Sequence, residues 1–206
     1  MSRFLGSINK KSRRLGFSLL ENNKEFLKGK KRSYAPGQHG FSKTPKKLSN
    51  YGEHLREKQK VAFLYGLNDK QFRRFFSLAK KIQGSNTLNL IRLMESRLDN
   101  LVFRMNFAST RKLARQLVNH RHILVDGKIM NIPSAIIKVG SVIELKPKSK
   151  DLDLVKKALE NNASVVPYVE VDKENKKGKY LRLLEETELN PEINETYVVE
   201  YYNRLV

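Results

Sequence analysis

One short segment of the chain concentrates side chains that can bind phosphate. If residues 111–120 form a helix, with about 100° of rotation per residue, cationic and amide side chains share one stripe and apolar side chains the other. The polar stripe holds Arg111, Lys112, Arg115 and Gln116. A guanidinium can fork onto two phosphate oxygens, whereas a lysine supplies a mobile point charge. The pattern predicts one core face and one cationic face, and we expect both arginines to be dispensable for folding.

The sequence contains none of three common enzyme motifs. It has no Gly-x-x-x-x-Gly-Lys-Ser/Thr loop, no Gly-x-Ser-x-Gly elbow and no Gly-x-Gly-x-x-Gly turn, the signatures of nucleotide hydrolysis, ester hydrolysis and dinucleotide binding. Asp99 lies near several cations, and we expect it to pair with Arg97 or Arg104 rather than to act as a base. An RNA-modifying enzyme would need a second catalytic domain, for which neither end of the chain is suited. We predict that the protein is not an enzyme.

The cysteine and histidine content gives no support for a metal site. The sequence has no Cys, which excludes disulfides, thiolate zinc sites, iron–sulfur clusters and thiol nucleophiles. Its four His, at positions 39, 54, 120 and 122, lack the i, i+4 spacing of a zinc enzyme. We therefore predict no metal and no other cofactor. We expect His39 to lie in a turn against phosphate and His120 to cap a helix end.

The charge balance indicates a polyanionic partner. The chain has 206 residues and carries 41 Lys and Arg against 21 Asp and Glu, for a net charge of +20. Residues 1–150 carry +24, and residues 151–206 carry −4. Nucleic acid or an anionic membrane surface would neutralise this excess, and a merely solvated basic face is the alternative. No apolar run approaches the roughly 20 residues that span a bilayer, so we expect a soluble protein of one or two domains.

Turn residues and helical spacing indicate which elements position these side chains. Residues 1–50 are rich in Gly, Pro and cations and predict an irregular basic arm, with at most a helix near Ser18–Leu27. Tyr197–Tyr202 is predicted to be a strand. Helices are predicted in three places: Glu53–Tyr65, from Asn68 or Asp69 to Gln83, and Thr87–Met105.

Residues 107–145 predict a small α+β module. The cationic helix follows a Ser-Thr pair that can cap it, and it ends at His120. The apolar runs on either side of Asp126-Gly127 indicate a hairpin, because Asp-Gly takes the positive φ values of a two-residue turn. Further strands are expected at Ala135–Val139 and Val142–Leu145. A DNA-binding helix-turn-helix is the alternative, but the hairpin follows too soon for a third helix, and the widely spread charge suits a folded RNA better.

Two sets of motifs resemble a known family. Residues 95–134 resemble the RNA-binding domain named after small-subunit ribosomal protein four, through Glu95-Ser96-Arg97-Leu98-Asp99-Asn100, Arg111, Ala114-Arg115-Gln116-Leu117-Val118, His120, Val125, Gly127 and Pro133-Ser134. The rest of the chain narrows the resemblance to the bacterial-type small-subunit ribosomal protein four family, through Ala35-Pro36-Gly37-Gln38-His39-Gly40, Ser49-Asn50-Tyr51-Gly52, Leu55-Arg56-Glu57-Lys58-Gln59-Lys60, Tyr65-Gly66, Gln71-Phe72-Arg73, Ile193-Asn194-Glu195 and Val198-Val199-Glu200-Tyr201-Tyr202.

The resemblance implies a fold and a division into domains. The fold is α+β, with an RNA-binding module of residues 92–150 inserted in a helical domain of residues 51–91 and 151–206 that ends in C-terminal strands. Residues 1–50 form an extended basic N-terminal arm. Many relatives carry four Cys in this arm that hold zinc or an iron–sulfur cluster. This sequence lacks them, so packing and RNA must hold the arm.

The resemblance also implies a function and partners. It implies a structural constituent of the small ribosomal subunit that binds 16S ribosomal RNA, nucleates subunit assembly and, with ribosomal protein five, influences translational accuracy. Neighbouring small-subunit proteins, and messenger RNA near the point where it enters the ribosome, are further expected partners. No membrane partner is expected, and the expected location is the ribosome in the cytoplasm.

The candidate contact residues follow from charge and position. We predict that RNA is bound by Arg3, Lys10, Lys11, Arg13, Arg14, Lys30, Lys31, Arg32, Gln38, His39, Lys43, Lys46, Lys47, Tyr51, Arg56, Lys58, Arg73, Arg111, Lys112, Arg115, Gln116, His120 and Lys128. An anionic patch gains nothing from RNA, so we predict that Glu192, Glu195 and Glu200 contact a basic protein. A solvated acidic face is the alternative.

Overall fold

A computed structural model describes residues 4–21, 26, 34–41, 47–160 and 165–204. The chain divides into two compact units, which we call the helical unit (Met1–Thr87 with Asn190–Val206) and the mixed unit (Leu88–Leu189). Within the described ranges, no helix is both long and apolar enough to cross a membrane. Six predicted RNA contacts lie outside the described residues: Arg3, Lys30, Lys31, Arg32, Lys43 and Lys46.

The elements follow one another in a mixed order along the chain. The helices of the described residues are α1 (Ile8–Leu15), α2 (Asn50–Leu64), α3 (Asp69–Ala79), α4 (Asn86–Glu95), α5 (Leu98–Arg104), α6 (Arg111–Asn119), α7 (Asp153–Glu160) and α8 (Glu195–Asn203). The strands are β1 (Ile123–Val125), β2 (Lys128–Ile129), β3 (Val142–Leu145), β4 (Val169–Asp172) and β5 (Lys177–Tyr180). Short 3₁₀ turns occupy Pro147–Ser149 and Glu186–Glu188. The predicted α+β class is confirmed.

The helical unit begins its two central helices with side-chain caps. The Ser49 hydroxyl accepts a hydrogen bond from the Gly52 amide at 3.3 Å and starts α2 three residues earlier than predicted. Asn68 and Gln71 form a capping box that starts α3. Helix α3 ends at Ala79, before the predicted end at Gln83. Helix α1 lies in the arm that we predicted to be irregular, so that prediction is wrong for this stretch.

The C-terminal end of the helical unit is a helix rather than the predicted strand Tyr197–Tyr202. Asn194 caps α8 by accepting a hydrogen bond from the amide of residue 197 at 3.4 Å. The Tyr202 ring stacks on Phe72 and Phe76, with ring centroids 5.3 and 5.0 Å away. Val198, Tyr201 and Tyr202 therefore lie on one buried face of α8, at helical rather than strand spacing.

The mixed unit is built on a five-stranded antiparallel sheet in the order β2-β1-β3-β5-β4. The predicted hairpin is confirmed: Asp126 and Gly127 have φ values of 50° and 76°, as a two-residue turn requires. Strands β4 and β5 were not predicted. Strand β5 pairs with β3, and β4 pairs with β5, which extends this compact unit to residue 189. The division into an arm (residues 1–50), a helical domain (51–91 with 151–206) and an RNA-binding module (92–150) stays a prediction.

Two predictions in the mixed unit are wrong for the same reason. The expected helix Thr87–Met105 is interrupted at Arg97, whose backbone is extended (φ −71°, ψ 140°). Arg97 forms an isolated antiparallel bridge with Ile136, and backbone hydrogen bonds join the residues on either side. The expected strand Ala135–Val139 pairs only with this break, because its hydrogen-bonding groups are engaged there and not in the sheet.

The core of the mixed unit lies between helices α4 to α6 and one face of the sheet. Leu98 and Leu101 of α5, Val118 of α6 and Ile143 of β3 are completely buried. Position 178 on β5 has no room for a side chain, because an added Cβ would lie 2.5 Å from the sulfur of a core methionine. The residue that follows α5 thus packs against β5, and α6 packs on α5 with its apolar side buried.

We predict that Leu117→Ala lowers the free energy of unfolding by about 2–5 kcal/mol, because it removes a side chain that is 3% exposed and leaves a cavity. Lys112→Ala, at an exposed position of the same helix, should change it by less than about 0.5 kcal/mol. Urea denaturation followed by circular dichroism measures both. Equal stabilities of the two variants would contradict the position of the helix.

Candidate nucleic-acid interface

Helix α6 presents the polar stripe that the sequence predicts. The Thr110 hydroxyl accepts a hydrogen bond from the Leu113 amide at 3.2 Å and caps the helix. Ala114, Leu117 and Val118 are buried. Three of the predicted contacts, Lys112, Gln116 and His120, are exposed on the opposite side.

The two arginines of this stripe are held from below by α5. The Arg115 Nη1 donates to Asp99 Oδ2 at 3.1 Å, and the Arg115 side chain is 12% exposed. The Arg111 Nε donates to Asn100 Oδ1 at 2.8 Å, and the Arg111 guanidinium lies 4.5 Å from the centre of the Phe103 ring. Both side chains therefore join α6 to α5. These contacts argue against the expectation that both arginines are dispensable for folding, which stays a prediction.

Asp99 is surrounded by two arginines. It accepts hydrogen bonds from Arg97 Nε at 3.0 Å and from Arg97 Nη2 at 2.6 Å, in addition to the bond from Arg115. The predicted pairing with Arg97 is thus confirmed. Arg104, the alternative, instead pairs with Glu95.

The buried carboxylate of Glu95, at the end of α4, accepts hydrogen bonds from α5 and from the residue that precedes β4. Arg104 Nη2 donates to one oxygen of Glu95 at 2.8 Å, and the Tyr168 hydroxyl donates to the other at 2.6 Å. The Asn100 amide also donates to Glu95. Burial alone would raise the pKa of the Glu95 carboxyl, but the Arg104 charge and these hydrogen bonds overcome burial and hold the pKa well below its ordinary value of 4.5. Glu95 is therefore ionised at neutral pH.

This network also raises the pKa of the Tyr168 hydroxyl far above its ordinary value, through burial first and the Glu95 charge second. The hydroxyl therefore stays protonated and keeps donating to Glu95. Sequence reasoning quoted Glu95 only as part of a motif and missed Tyr168, because 73 positions separate the two residues.

The hairpin and the end of α6 add further polar groups to the mixed unit. Lys128, a predicted contact, is exposed on β2. Asp126 fixes the hairpin by accepting a hydrogen bond from the Val142 amide at 2.8 Å. The ring of His122, which follows the end of α6, is hydrogen-bonded to Ser149 at 2.8 Å. Burial, then the neighbouring charges of His120 and Lys146, lower the pKa of His122, so that it is neutral at physiological pH.

The predicted contacts in the arm differ in their surroundings. Lys10 and Arg14 on α1 are exposed, and Arg13 is half-buried. The Lys11 ammonium lies 4.8 Å from the centre of the Phe63 ring, so Lys11 anchors α1 to α2. Three further predicted contacts are exposed: Gln38, His39 and Lys47.

The predicted contacts on α2 are largely engaged inside the helical unit. The Arg56 guanidinium donates to the Leu15 carbonyl at 2.6 Å and holds the end of α1. Lys58 is buried, and its ammonium lies 2.6 Å from Asp69 Oδ1. Burial would raise the pKa of Asp69, but the hydrogen bond and charge of Lys58, the charge of Arg73 and the hydrogen bond from Tyr202 together hold the pKa below its ordinary value. Lys58 and Arg56 thus brace the unit.

Two predicted contacts at the start of α2 and on α3 are more accessible. The Tyr51 ring is 53% exposed, and its centroid lies 5.8 Å from that of Tyr201. The Arg73 side chain is 62% exposed, and its Nε lies 2.8 Å from Asp69 Oδ2. An exposed ring and an exposed guanidinium on one unit could meet a base and a phosphate.

The three predicted protein-binding acids are not equivalent. Glu192 is exposed, and Glu195 is half-buried. Glu200 Oε2 lies 3.1 Å from His54 Nε2, so this side chain contributes to the packing of α8 on α2.

Comparisons with known proteins identify the family. A family model described as the ribosomal protein S4/S9 N-terminal domain matches residues 3–95, and the S4 domain model matches residues 96–143. The small ribosomal subunit protein uS4 of Mycoplasmoides gallisepticum is 61% identical over 208 residues, covering 100% of both chains. Proteins of the same name from Malacoplasma penetrans and Ureaplasma urealyticum are each 60% identical over 206 residues, again covering 100% of both chains. The chain belongs to the small ribosomal subunit protein uS4 family.

Membership of the uS4 family confirms several predictions. The family consists of structural, non-enzymatic components of the small ribosomal subunit that bind ribosomal RNA. The predictions of a ribosomal RNA-binding protein, of no enzymatic activity and of a location in the cytoplasmic ribosome are therefore confirmed. The polar stripe of α6 lies within the S4 domain match.

We predict that Glu95→Gln lowers the free energy of unfolding at pH 7 by about 3–5 kcal/mol, because it leaves the Arg104 guanidinium without its buried counter-charge. The folded pKa of Glu95 lies below its unfolded value, so its contribution to stability is complete above about pH 5 and decreases as the pH falls below 4.5. Stability of the unmodified chain should therefore fall between pH 5 and pH 3 more steeply than that of the variant. Urea titrations across this range measure both slopes, and parallel slopes would contradict the assignment.

Proposed function

We propose that this chain is a primary binder of small-subunit ribosomal RNA and that it nucleates assembly of the subunit. The observation that carries the proposal is the polar stripe of α6, where the exposed Lys112 lies beside Arg111 and Arg115, which are held by Asn100 and Asp99 of α5. A charge of +24 over residues 1–150 supplies the long-range attraction. Early binding suits such a surface, because its charges are held in place by the protein before RNA arrives.

The proposed mode of recognition is reading of RNA shape. A-form RNA has a deep, narrow major groove that hides its base edges, so a protein senses mainly the positions of its backbones. Arg115 and Arg111 are fixed on α5 and would set the register by contacting phosphates. Lys112 and Lys128 are exposed and would add affinity as mobile charges. The exposed cations of α1, Lys10 and Arg14 among them, would grip RNA from the helical unit.

We predict a strong dependence of RNA affinity on salt. If about 6–10 phosphates are neutralised, log K should fall with log salt at a slope of roughly −4 to −9. Filter binding with a transcript of small-subunit ribosomal RNA measures this slope. Lys112→Ala should make the slope less negative by about one. Lys156→Ala, which removes an exposed lysine from α7, is the matched control and should leave the slope unchanged. A slope near zero for the unmodified chain would contradict the proposed function.

We further propose a protein partner for the acidic face of α8, ribosomal protein five, as the family resemblance implies. Glu195 is the first residue of α8, and Glu192 lies three residues before it. Negative charge at this end of a helix is favoured by the positive end of the helix dipole. A basic partner would gain from these acids, whereas RNA would not. Through this contact the chain would influence translational accuracy, because weakening an interface favours the subunit conformation that lacks it. Messenger RNA near the point where it enters the ribosome is a further proposed neighbour.

We predict that reversing Glu192 and Glu195 together to Lys weakens binding of purified ribosomal protein five roughly tenfold at low salt and changes misreading in assembled ribosomes. Glu200 is left intact because it pairs with His54. Reversal of Glu174 and Glu186, exposed acids of the mixed unit, makes the same change in net charge and should affect neither measurement. Equal effects of the two double variants, or no effect of either, would leave the acidic face merely solvated.

A further inference from the structure

The arrangement around Asp99 has more cationic charge than it needs for neutrality. Arg97 is almost completely buried, and its two hydrogen bonds to Asp99 already pair one guanidinium with one carboxylate. Arg115 adds a second guanidinium to the same carboxylate, through a single N–H. The group of three side chains thus has a net charge of +1. The net positive charge of these three side chains favours the approach of an anion from outside.

Asp99 is itself held rigidly. Its amide donates to the Pro133 carbonyl at 3.0 Å, and its side chain is 9% exposed. The carboxylate therefore gives Arg115 a fixed point of attachment below the polar stripe of α6. Lys112 and Gln116, three residues before and one after Arg115, are exposed on that stripe.

We propose that Asp99 is a positioning residue for RNA binding, which acts by holding the Arg115 guanidinium in the orientation that receives a phosphate. This inference rests on the proposed function. An unrestrained arginine must lose its rotational freedom when it binds, whereas one already hydrogen-bonded to a buried carboxylate has lost most of it during folding. A guanidinium has five N–H donors, so a bond to Asp99 leaves the group able to donate to a phosphate as well.

For the Asp99→Asn variant, the proposal predicts a change in RNA affinity opposite in sign to the change that simple electrostatics predicts. Replacing Asp99 by Asn removes a negative charge close to the RNA, which by Coulomb attraction alone would strengthen binding. If Asp99 instead acts by positioning Arg115, binding weakens even though the protein becomes more cationic. Glu186→Gln is the matched control, because it makes the same change in net charge at an exposed site of the same unit.

The experiment compares Asp99→Asn, Arg115→Ala, the double variant and Glu186→Gln, using the full chain and a transcript of small-subunit ribosomal RNA over a salt series. We expect Asp99→Asn to weaken binding about 5–10-fold, within the range for one side chain that must be immobilised on binding. The double variant should bind no more weakly than Arg115→Ala alone, although its melting temperature falls further because Arg97 also loses its partner. Glu186→Gln should bind as tightly as the unmodified chain or slightly more tightly.

The inference is overturned if Asp99→Asn binds as tightly as Glu186→Gln, or if its effect adds fully to that of Arg115→Ala. If Asp99→Asn shows no cooperative thermal transition, Arg115→Lys replaces it, since this variant keeps the charge but loses the planar fork. Weaker binding by Arg115→Lys at an unchanged melting temperature supports the proposal, and unchanged binding overturns it. Failure of the unmodified chain to bind RNA in a salt-dependent manner would instead refute the proposed function itself.

Discussion

The buried carboxylate of Glu95 is the interaction on which the mixed unit depends. It ends α4, receives Arg104 and Asn100 from α5, and receives the Tyr168 hydroxyl from the residue that precedes β4. Helices and sheet are therefore joined through one ionised group that has no access to water. Asn100 passes this constraint to α6, because its carbonyl oxygen accepts a hydrogen bond from the polar stripe. The arrangement that closes the core is thus the same one that sets the cations in place.

Buried ion pairs such as that of Glu95 and Arg104 contribute little to the free energy of unfolding. Buried ion pairs can often be replaced by apolar residues of similar volume without loss of stability, since desolvation offsets much of their Coulomb attraction. In this chain the replacement would have a further effect, because Arg115 of α6 is bound to the buried Asp99 carboxylate, and Arg111 of α6 is bound to Asn100, which itself contacts Glu95. Their retention is consistent with a surface that must be both cationic and rigid. The buried pairs add little stability, but they and Asn100 hold the Arg115 and Arg111 guanidinium groups in fixed positions.

The elements that depend on local signals were predictable, and those that depend on distant partners were not. Helical spacing located α6, and Asp126-Gly127 located the hairpin, because each signal acts within a few residues. The break at Arg97 depends on a bridge to Ile136, which no local pattern reveals. The site shows the same limit: Lys58 and Lys112 look alike in the sequence, yet one is buried against Asp69 and the other is exposed. A count of cations therefore overestimates the number available to RNA.

The insertion of the mixed unit into the helical unit has a consequence for synthesis on the ribosome. The stacking partners Phe72 and Phe76 emerge well before Tyr202, which covers them. All of residues 88–189 are made in between, and at about 5–20 residues per second this takes several seconds to tens of seconds. During that interval the mixed unit can fold completely, whereas the aromatic side chains of α3 are not yet covered by α8. The helical unit is started first and completed last, so its apolar surface is the part of the newly made chain most open to wrong contacts with other chains.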